Sequence, residues 1–379
     1  MKSVIFKNVS ILVSMLCLMV FFSGCSDTEK GDKPASRRDS RVELAGAGAS
    51  FPAPLMTAMA DEYRRYTQGR VTINYQSIGS GGGMRQFGEQ TIMFGMSEAF
   101  LSDKVMQDLE RKTGGKAFNI PITLADVVAT YNLPGIDAGL VFDGDLLVDI
   151  FMGRITRWND SRIQELNPEK DLPNLPVQVV HRSDGSGTTN VWTSYLSNVS
   201  DEWRENIGYA TSVNWPTGIG GNGNEGVAGV VMNTPGAIGY NSYSYALLND
   251  MSYGAIQNRS GNIIHPSFSA TSKAADIDLP KDTRILFTDT PAPYGYPAAG
   301  FAWMLAYENM EQNNAINTRK EAEELVRFIL WAITEGQDLS EDLGYARLPE
   351  AAVDRGMNMI RQMKWDAENI GEFLVEEIH

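Results

Sequence analysis

The stretch His181-Arg182-Ser183-Asp184-Gly185-Ser186-Gly187-Thr188-Thr189 sets the reading of this chain. It follows Val177, Val179 and Val180, an apolar run that predicts a strand, and precedes Val191-Trp192-Thr193-Ser194-Tyr195-Leu196, which predicts the start of a helix. A strand that passes through a Gly/Ser/Thr turn into a helix leaves several backbone N–H groups aimed at one spot. The helix dipole adds partial positive charge there, so the spot suits an oxyanion. Ser186 and Thr188 add hydroxyl donors, and Arg182 adds a planar fork that matches paired oxygens. The same residues also make an ordinary turn with a capped helix, and this segment alone leaves both readings open.

Working outward, two other turns follow the same logic: Ala49-Ser50-Phe51 and Gly79-Ser80-Gly81. Val42 and Leu44 lead as a strand into Gly46-Ala47-Gly48-Ala49-Ser50-Phe51. A helix with Pro52 near its first turn follows, carrying Leu55, Met59, Tyr63 and Tyr66 at helical spacing. Val71, Ile73 and Tyr75 alternate as a strand, and Gly79–Gly83 turns into Met84-Arg85-Gln86-Phe87. This alternation predicts an α/β fold with helices on a largely parallel sheet, whose ligands sit at the carboxyl ends of strands. Ala322, Leu325, Val326, Ile329, Leu330 and Ile333 mark an amphipathic helix closed by Gly336. One Ser-containing turn is a cap; three agree better with a site. A carboxylate joins them in Phe94-Gly95-Met96-Ser97-Glu98-Ala99-Phe100-Leu101-Ser102-Asp103, where Glu98 stands among apolar and small residues.

The 379 residues leave room for two domains or one large one. A net charge of −15 argues against nucleic acid as a partner, which needs a basic face. It does not argue against an anion held by backbone N–H groups and one arginine. At the N-terminus, Lys2 and Lys7 precede an apolar run from Val9 to Phe22 and then Ser23-Gly24-Cys25. Residues 1–24 therefore read as an export signal and not a membrane span. A Cys after Ser-Gly resembles the bacterial lipoprotein signal, in which that Cys is lipidated, although Phe22 departs from the usual Leu. The competing reading is cleavage to a free secreted protein. The only other cysteine, Cys17, lies within the leader, which leaves Cys25 without a disulfide partner in the mature chain. Residues 25–41 comprise this anchor and a polar, charged tether without aromatic residues.

Gly218-Ile219-Gly220-Gly221-Asn222-Gly223 matches a dinucleotide fingerprint in form only, because Ser212-Val213-Asn214-Trp215-Pro216-Thr217 is not a convincing strand. His181, His265 and His379 stand in no metal-ligand spacing, so neither a metal nor an organic cofactor is expected. His181 reads as a strand-end or rim residue.

Several motifs in order resemble the phosphate-binding proteins of phosphate-specific ABC transporters. They are Gly46-Ala47-Gly48-Ala49-Ser50-Phe51-Pro52-Ala53-Pro54, Gly79-Ser80-Gly81-Gly82, Phe94-Gly95-Met96-Ser97-Glu98 and Arg182-Ser183-Asp184-Gly185-Ser186-Gly187-Thr188. Trp215–Gly226, Pro235-Gly236-Ala237-Ile238-Gly239-Tyr240 and Leu343-Gly344-Tyr345-Ala346-Arg347-Leu348-Pro349 extend the likeness across residues 44–361. The resemblance implies a two-lobed Venus-flytrap fold with two interlobe crossovers. Residues 42–122 and 297–379 would form one lobe, and residues 123–296 the other. It implies that Ser50 and Phe51 bind phosphate through backbone N–H groups, with Ser50 Oγ a further donor, and that Ser80 does likewise. Arg182 would donate from its guanidinium, Ser186, Gly187 and Thr188 would close the cage, and Asp184 would hold Arg182. No ligand role falls to 218–226.

One departure stands out. The family places Asp where this chain has Glu98, and there the carboxylate accepts the hydrogen of a protonated phosphate. Sulfate carries no hydrogen at neutral pH and meets a buried negative charge instead. The extra methylene of Glu98 requires a backbone shift or another rotamer; alternatively Glu98 turns outward and water fills the gap. The expected function is an extracytoplasmic receptor that delivers inorganic phosphate to the membrane subunits of an ABC importer, anchored through lipidated Cys25. The alternatives are a binding protein for another oxyanion and an extracytoplasmic phosphatase with Ser186 as nucleophile, which would need a base or metal centre beside it.

Overall fold

The computed structural model describes residues 41–377. The first stretch alternates as the sequence predicts: β1 (Val42–Gly48), α1 (Ala53–Tyr66), β2 (Val71–Ser77), α2 (Ser80–Gly88), β3 (Phe94–Ser97), α3 (Asp103–Thr113) and the long β4 (Ala117–Tyr131). There follow β5 (Val141–Phe142), α4 (Gly144–Phe151), α5 (Ser161–Leu166), β6 (Gln178–Arg182), α6 (Gly187–Val199) and α7 (Asp201–Asn206). Next come β7 (Ile219–Gly221), α8 (Gly223–Asn233), β8 (Ala237–Ser242), α9 (Tyr243–Leu248), β9 (Ser252–Tyr253), β10 (Ala255–Gln257), β11 (Ile263–Ile264) and α10 (Phe268–Ala274). The chain ends through β12 (Ala299–Tyr307), α11 (Arg319–Ile333), α12 (Glu350–Ile360) and α13 (Ile370–Glu376). Residues 1–40, with the expected leader, Cys25 and nearly all of the tether, lie outside the described residues.

The main sheet runs β2-β1-β3-β12-β4-β8-β6-β7, with β9 on β4, and a small sheet pairs β11-β10-β5. Both flanks are parallel: β1 with β2 and β3, and β6 with β7 and β8. The centre is antiparallel, which corrects the expectation of a largely parallel sheet. Residues Ala117–Asp126 of β4 pair with β12, and Val127–Tyr131 pair with β8. β12 also pairs antiparallel with β3. A strand that leaves one half of the molecule and a strand that returns to it run in opposite directions when they lie side by side. The βα alternation that was read along the chain carries no trace of that return. The result is a two-lobed α/β architecture, with α1 and α2 against β1–β3 and with α6 and α8 against β6 and β8.

Burial follows the apolar pattern with two corrections. Leu55, Met59 and Tyr63 of α1 are buried, but Tyr66, the last residue of the helix, is 62% exposed. The amphipathic helix α11 ends at Ile333 and not at Gly336, which instead lies in a buried 3₁₀ turn packed against Trp331. A capping box opens that helix: Thr318 accepts from the Glu321 N–H and Glu321 reaches back to the Thr318 N–H.

Candidate functional site

Parallel strands of the two flanks bring the Ser50 loop and the N-termini of α2, α6 and α8 to the same place. β6 ends at Arg182, and Ser186 caps α6, its Oγ accepting from the Thr189 N–H at 3.1 Å. The Ser186 N–H donates to the Thr211 carbonyl at 2.7 Å. Ser186 is thus built into the turn, while the N–H of Gly187 points out of the helix to Ser80 Oγ at 3.0 Å. The side chain of Arg182 is 1% exposed and lies in a two-point contact with Asp184, Nε to Oδ1 at 2.7 Å and Nη2 to Oδ2 at 2.5 Å. Its Nη1 faces Thr188 Oγ1 at 3.5 Å. Burial works to raise the Asp184 carboxyl, yet hydrogen bonds and charge from Arg182 outweigh it and hold it below its ordinary range. The pair is ionised, and Asp184 also accepts from the Gly223 N–H at 3.0 Å. Tyr240 completes the support, accepting from the Arg182 N–H at 3.1 Å and pairing with Thr189 Oγ1 at 2.7 Å.

The other flank presents Ser50 and Phe51 directly after β1. Tyr75 Oη donates to the Ala49 carbonyl at 2.6 Å, and the Ala53 N–H donates to the Ser50 carbonyl at 3.1 Å. A trans peptide points its C=O and N–H in opposite directions, so these two bonds aim the Ser50 and Phe51 N–H groups away from their own scaffold. Tyr345 Oη holds the Phe51 carbonyl at 2.5 Å. Ser80 opens α2, preceded by Gly79 at φ +78°. A Cβ on Gly79 would lie 2.3 Å from Asp184 Oδ2 and one on Gly187 would lie 2.5 Å from Glu98 Oε2, so only glycine permits this approach at either place. The Gly81 N–H donates to the Gly185 carbonyl at 2.9 Å.

Glu98 follows β3 and is 1% exposed. Its Oε2 accepts from Thr188 Oγ1 at 3.3 Å, while Oε1 is buried with no hydrogen-bond partner. Burial pushes the carboxyl up to about 8, against the opposing pull of the Arg182 charge and the Thr188 hydrogen bonds. The outward-turned alternative for Glu98 is therefore overturned. The structure brings together Ser50, Phe51, Ser80 and Glu98 from one part of the chain with Arg182, Asp184, Ser186, Gly187 and Thr188 from another.

The sequence reading missed Asn224. It set aside the glycine run because no strand precedes Gly218; the strand starts one residue later, as β7, and pairs with Val180–Arg182 of β6. α8 then begins at Gly223 (φ +71°), and Asn224 is fully buried with its backbone N–H and Nδ2 on Ser50 Oγ, both at 3.0 Å. A glycine turn into a helix is the same device as at Ser80 and Ser186, and that was the available signal. Tyr75, Tyr240 and Tyr345 carried none, because their hydroxyls reach the site from distant elements.

The PBP superfamily domain matches residues 32–334. The phosphate-binding protein PstS of Xylella fastidiosa (strain 9a5c) is 37% identical over 371 residues, covering 93% of this chain and 96% of that protein. The phosphate-binding protein PstS of Pasteurella multocida (strain Pm70) is 36% identical over 329 residues, with coverages of 86% and 90%. Among solved structures, the high-affinity periplasmic phosphate-binding protein PfluDING, bound with phosphate, shares the fold at a TM-score of 0.66. It is 17% identical, and the match covers 86% of this chain and 100% of PfluDING. With the matched domain spanning most of the sequence and the relatives aligned nearly end to end, this chain belongs to the PstS family of the PBP superfamily.

Proposed function

We propose that this protein is an extracytoplasmic receptor that binds inorganic phosphate and delivers it to the membrane subunits of an ABC importer. The observation that carries the reading is the convergence of three Ser-containing turns on one ion-paired arginine and one buried carboxyl. N–H groups of the first helical turn have no partner further along their helix, which suits them to an anion; that of Gly187, which donates to Ser80 Oγ here, exchanges this partner for an anion oxygen. On this reading Ser50, Phe51, Ser80, Gly187 and Thr188 donate to phosphate oxygens, and Arg182, held by Asp184, supplies the positive charge. Ser186 shapes the α6 turn. Glu98 Oε1, buried and unpartnered, accepts the hydrogen that phosphate carries and sulfate lacks. The lobes, 42–122 with 297–379 and 123–296, close over the anion, and lipidated Cys25 tethers the globule to the membrane.

The phosphatase alternative is disfavoured by two contacts. Ser186 Oγ caps its helix, and His181 stacks on Trp215 (ring centroids 5.0 Å apart) with Nδ1 3.0 Å from the Arg182 carbonyl oxygen. On this reading the chain is not an enzyme. Calorimetric titration with phosphate, arsenate and sulfate tests it, together with an assay for phosphomonoester turnover. Saturable binding of phosphate in preference to sulfate, without turnover, is the expected result. Absence of phosphate binding, or hydrolysis that a Ser186→Ala variant loses, would overturn it.

A further inference from the structure

We propose that Asn224 is a positioning residue that turns the hydroxyls of Ser50 and Thr188 into obligate donors for the anion; the inference rests on the phosphate reading above. The orientation of its amide is fixed by the network. Asn224 Oδ1 accepts from the Ser242 N–H at 3.0 Å, and because a backbone N–H can only donate, Nδ2 must be the atom that faces the site. Nδ2 donates to Ser50 Oγ at 3.0 Å and to Thr188 Oγ1 at 3.1 Å, and the backbone N–H of Asn224 donates to Ser50 Oγ at 3.0 Å.

A hydroxyl has one proton and two lone pairs, and left to itself it can offer either to a neighbour. Both lone pairs of Ser50 Oγ are taken by Asn224, so the one thing Ser50 can still present is its proton. Thr188 Oγ1 stands in the same position. Asn224 Nδ2 and Arg182 Nη1 occupy its acceptor side, and its proton is left for Glu98 Oε2 or for an anion oxygen in its place. An anion cage gains from donors and is penalised by lone pairs, so fixing this polarity in advance removes a cost of binding. Asn224 is itself secured, its carbonyl accepting from Asn241 Nδ2 at 2.8 Å and Asn241 Oδ1 accepting from Thr130 Oγ1 at 2.9 Å. It also joins the lobes, since Ser50 and Thr188 belong to opposite flanks of the sheet.

The test is a set of variants titrated with inorganic phosphate, each first checked for a cooperative thermal transition in phosphate-free buffer. Asn224→Asp keeps the shape but replaces the donor by an acceptor, so both hydroxyls turn toward it and are lost to the anion. It should weaken binding about 100-fold or more, each lost hydrogen bond to a charged group being worth on the order of tenfold or more. Asn224→Ala should weaken binding about tenfold, and should weaken it far less in a Ser50→Ala background, where one of the two hydroxyls is already gone. The cycle built on Asn224→Ala decides the matter if the Asp variant does not fold. Two results would overturn the inference: Asn224→Asp binding phosphate within about threefold of the parent, or Asn224→Ala costing the same with and without Ser50. A parent that does not bind phosphate sinks the functional reading itself, and this inference with it.

Discussion

Replacing Glu98 by Gln should abolish a pH-dependent discrimination between phosphate and sulfate. Burial lifts the Glu98 carboxyl to about 8. With that value it is ionised in about one molecule in eleven at pH 7 and in about ten in eleven at pH 9. On that value the expected gate is mostly a neutral acid at pH 7 in the unliganded protein and mostly a carboxylate at pH 9. Sulfate can accept a hydrogen bond from the acid but has nothing to give the carboxylate. Its affinity should follow the neutral fraction and fall about tenfold between pH 7 and pH 9, or about 1.4 kcal/mol. Monohydrogen phosphate donates its own hydrogen to the carboxylate, so its affinity is maintained and the phosphate-to-sulfate ratio rises about tenfold over that interval. A bound sulfate dianion raises the carboxyl further, which carries the fall in sulfate affinity to higher pH and leaves its onset near the value of the unliganded protein. Gln keeps an acceptor and offers an amide donor at every pH, so the ratio in Glu98→Gln should be lower and flat. Glu98→Asp should keep the rise. The assay is competition calorimetry at pH 7, 8 and 9 at constant ionic strength. A flat ratio in the parent, or the same rise in the Gln variant, would refute the assignment of the gate to Glu98.

Arg182→Ala should weaken phosphate binding by about 2–5 kcal/mol, because it removes the charged donor and leaves Asp184 unpaired beside the cage. Arg182→Ala/Asp184→Ala should recover part of that loss, and an unchanged affinity in the single variant would mean that the ligand lies elsewhere. Asp126 of β4 is fully buried, accepting from Thr271 Oγ1 at 2.9 Å and the Ser267 N–H at 3.2 Å, and burial raises its carboxyl to about 8. Its folded value is raised, so its contribution to stability is complete below pH 4 and is lost as pH rises toward 8, on the order of 4 kcal/mol by pH 7. Urea denaturation at pH 5 and pH 8 should show Asp126→Asn losing less stability on this rise than the parent; equal losses would contradict the assignment. Cys25→Ser should leave the membrane fraction or remain unprocessed, with phosphate binding unaltered, and a processed variant still found with membranes would refute the lipid anchor.

The strand–turn–helix devices at Ser50, Ser80 and Ser186 were legible in the sequence, and with them the α/β class and an anion as the expected ligand. Such devices are local: a cap, a small-residue turn and the unpaired N–H groups of a first helical turn are set within a few neighbouring residues. The Arg182–Asp184 pair, two residues apart on one turn, was within reach for the same reason. Glu98 was visible as a residue but not as a chemical state. Its direction and its raised carboxyl depend on burial under Gly187 and Thr188, which a different part of the chain supplies. Asn224 was overlooked because its partners, Ser50 and Thr188, lie on elements that meet only when the lobes are assembled. The antiparallel centre of the sheet has the same origin, since β12 is paired with β4 by the return of the chain and not by any local pattern. The sequence determined what lies within a turn of the backbone, whereas tertiary structure decided ionisation and hydroxyl polarity, which depend on atoms brought together from far along the chain.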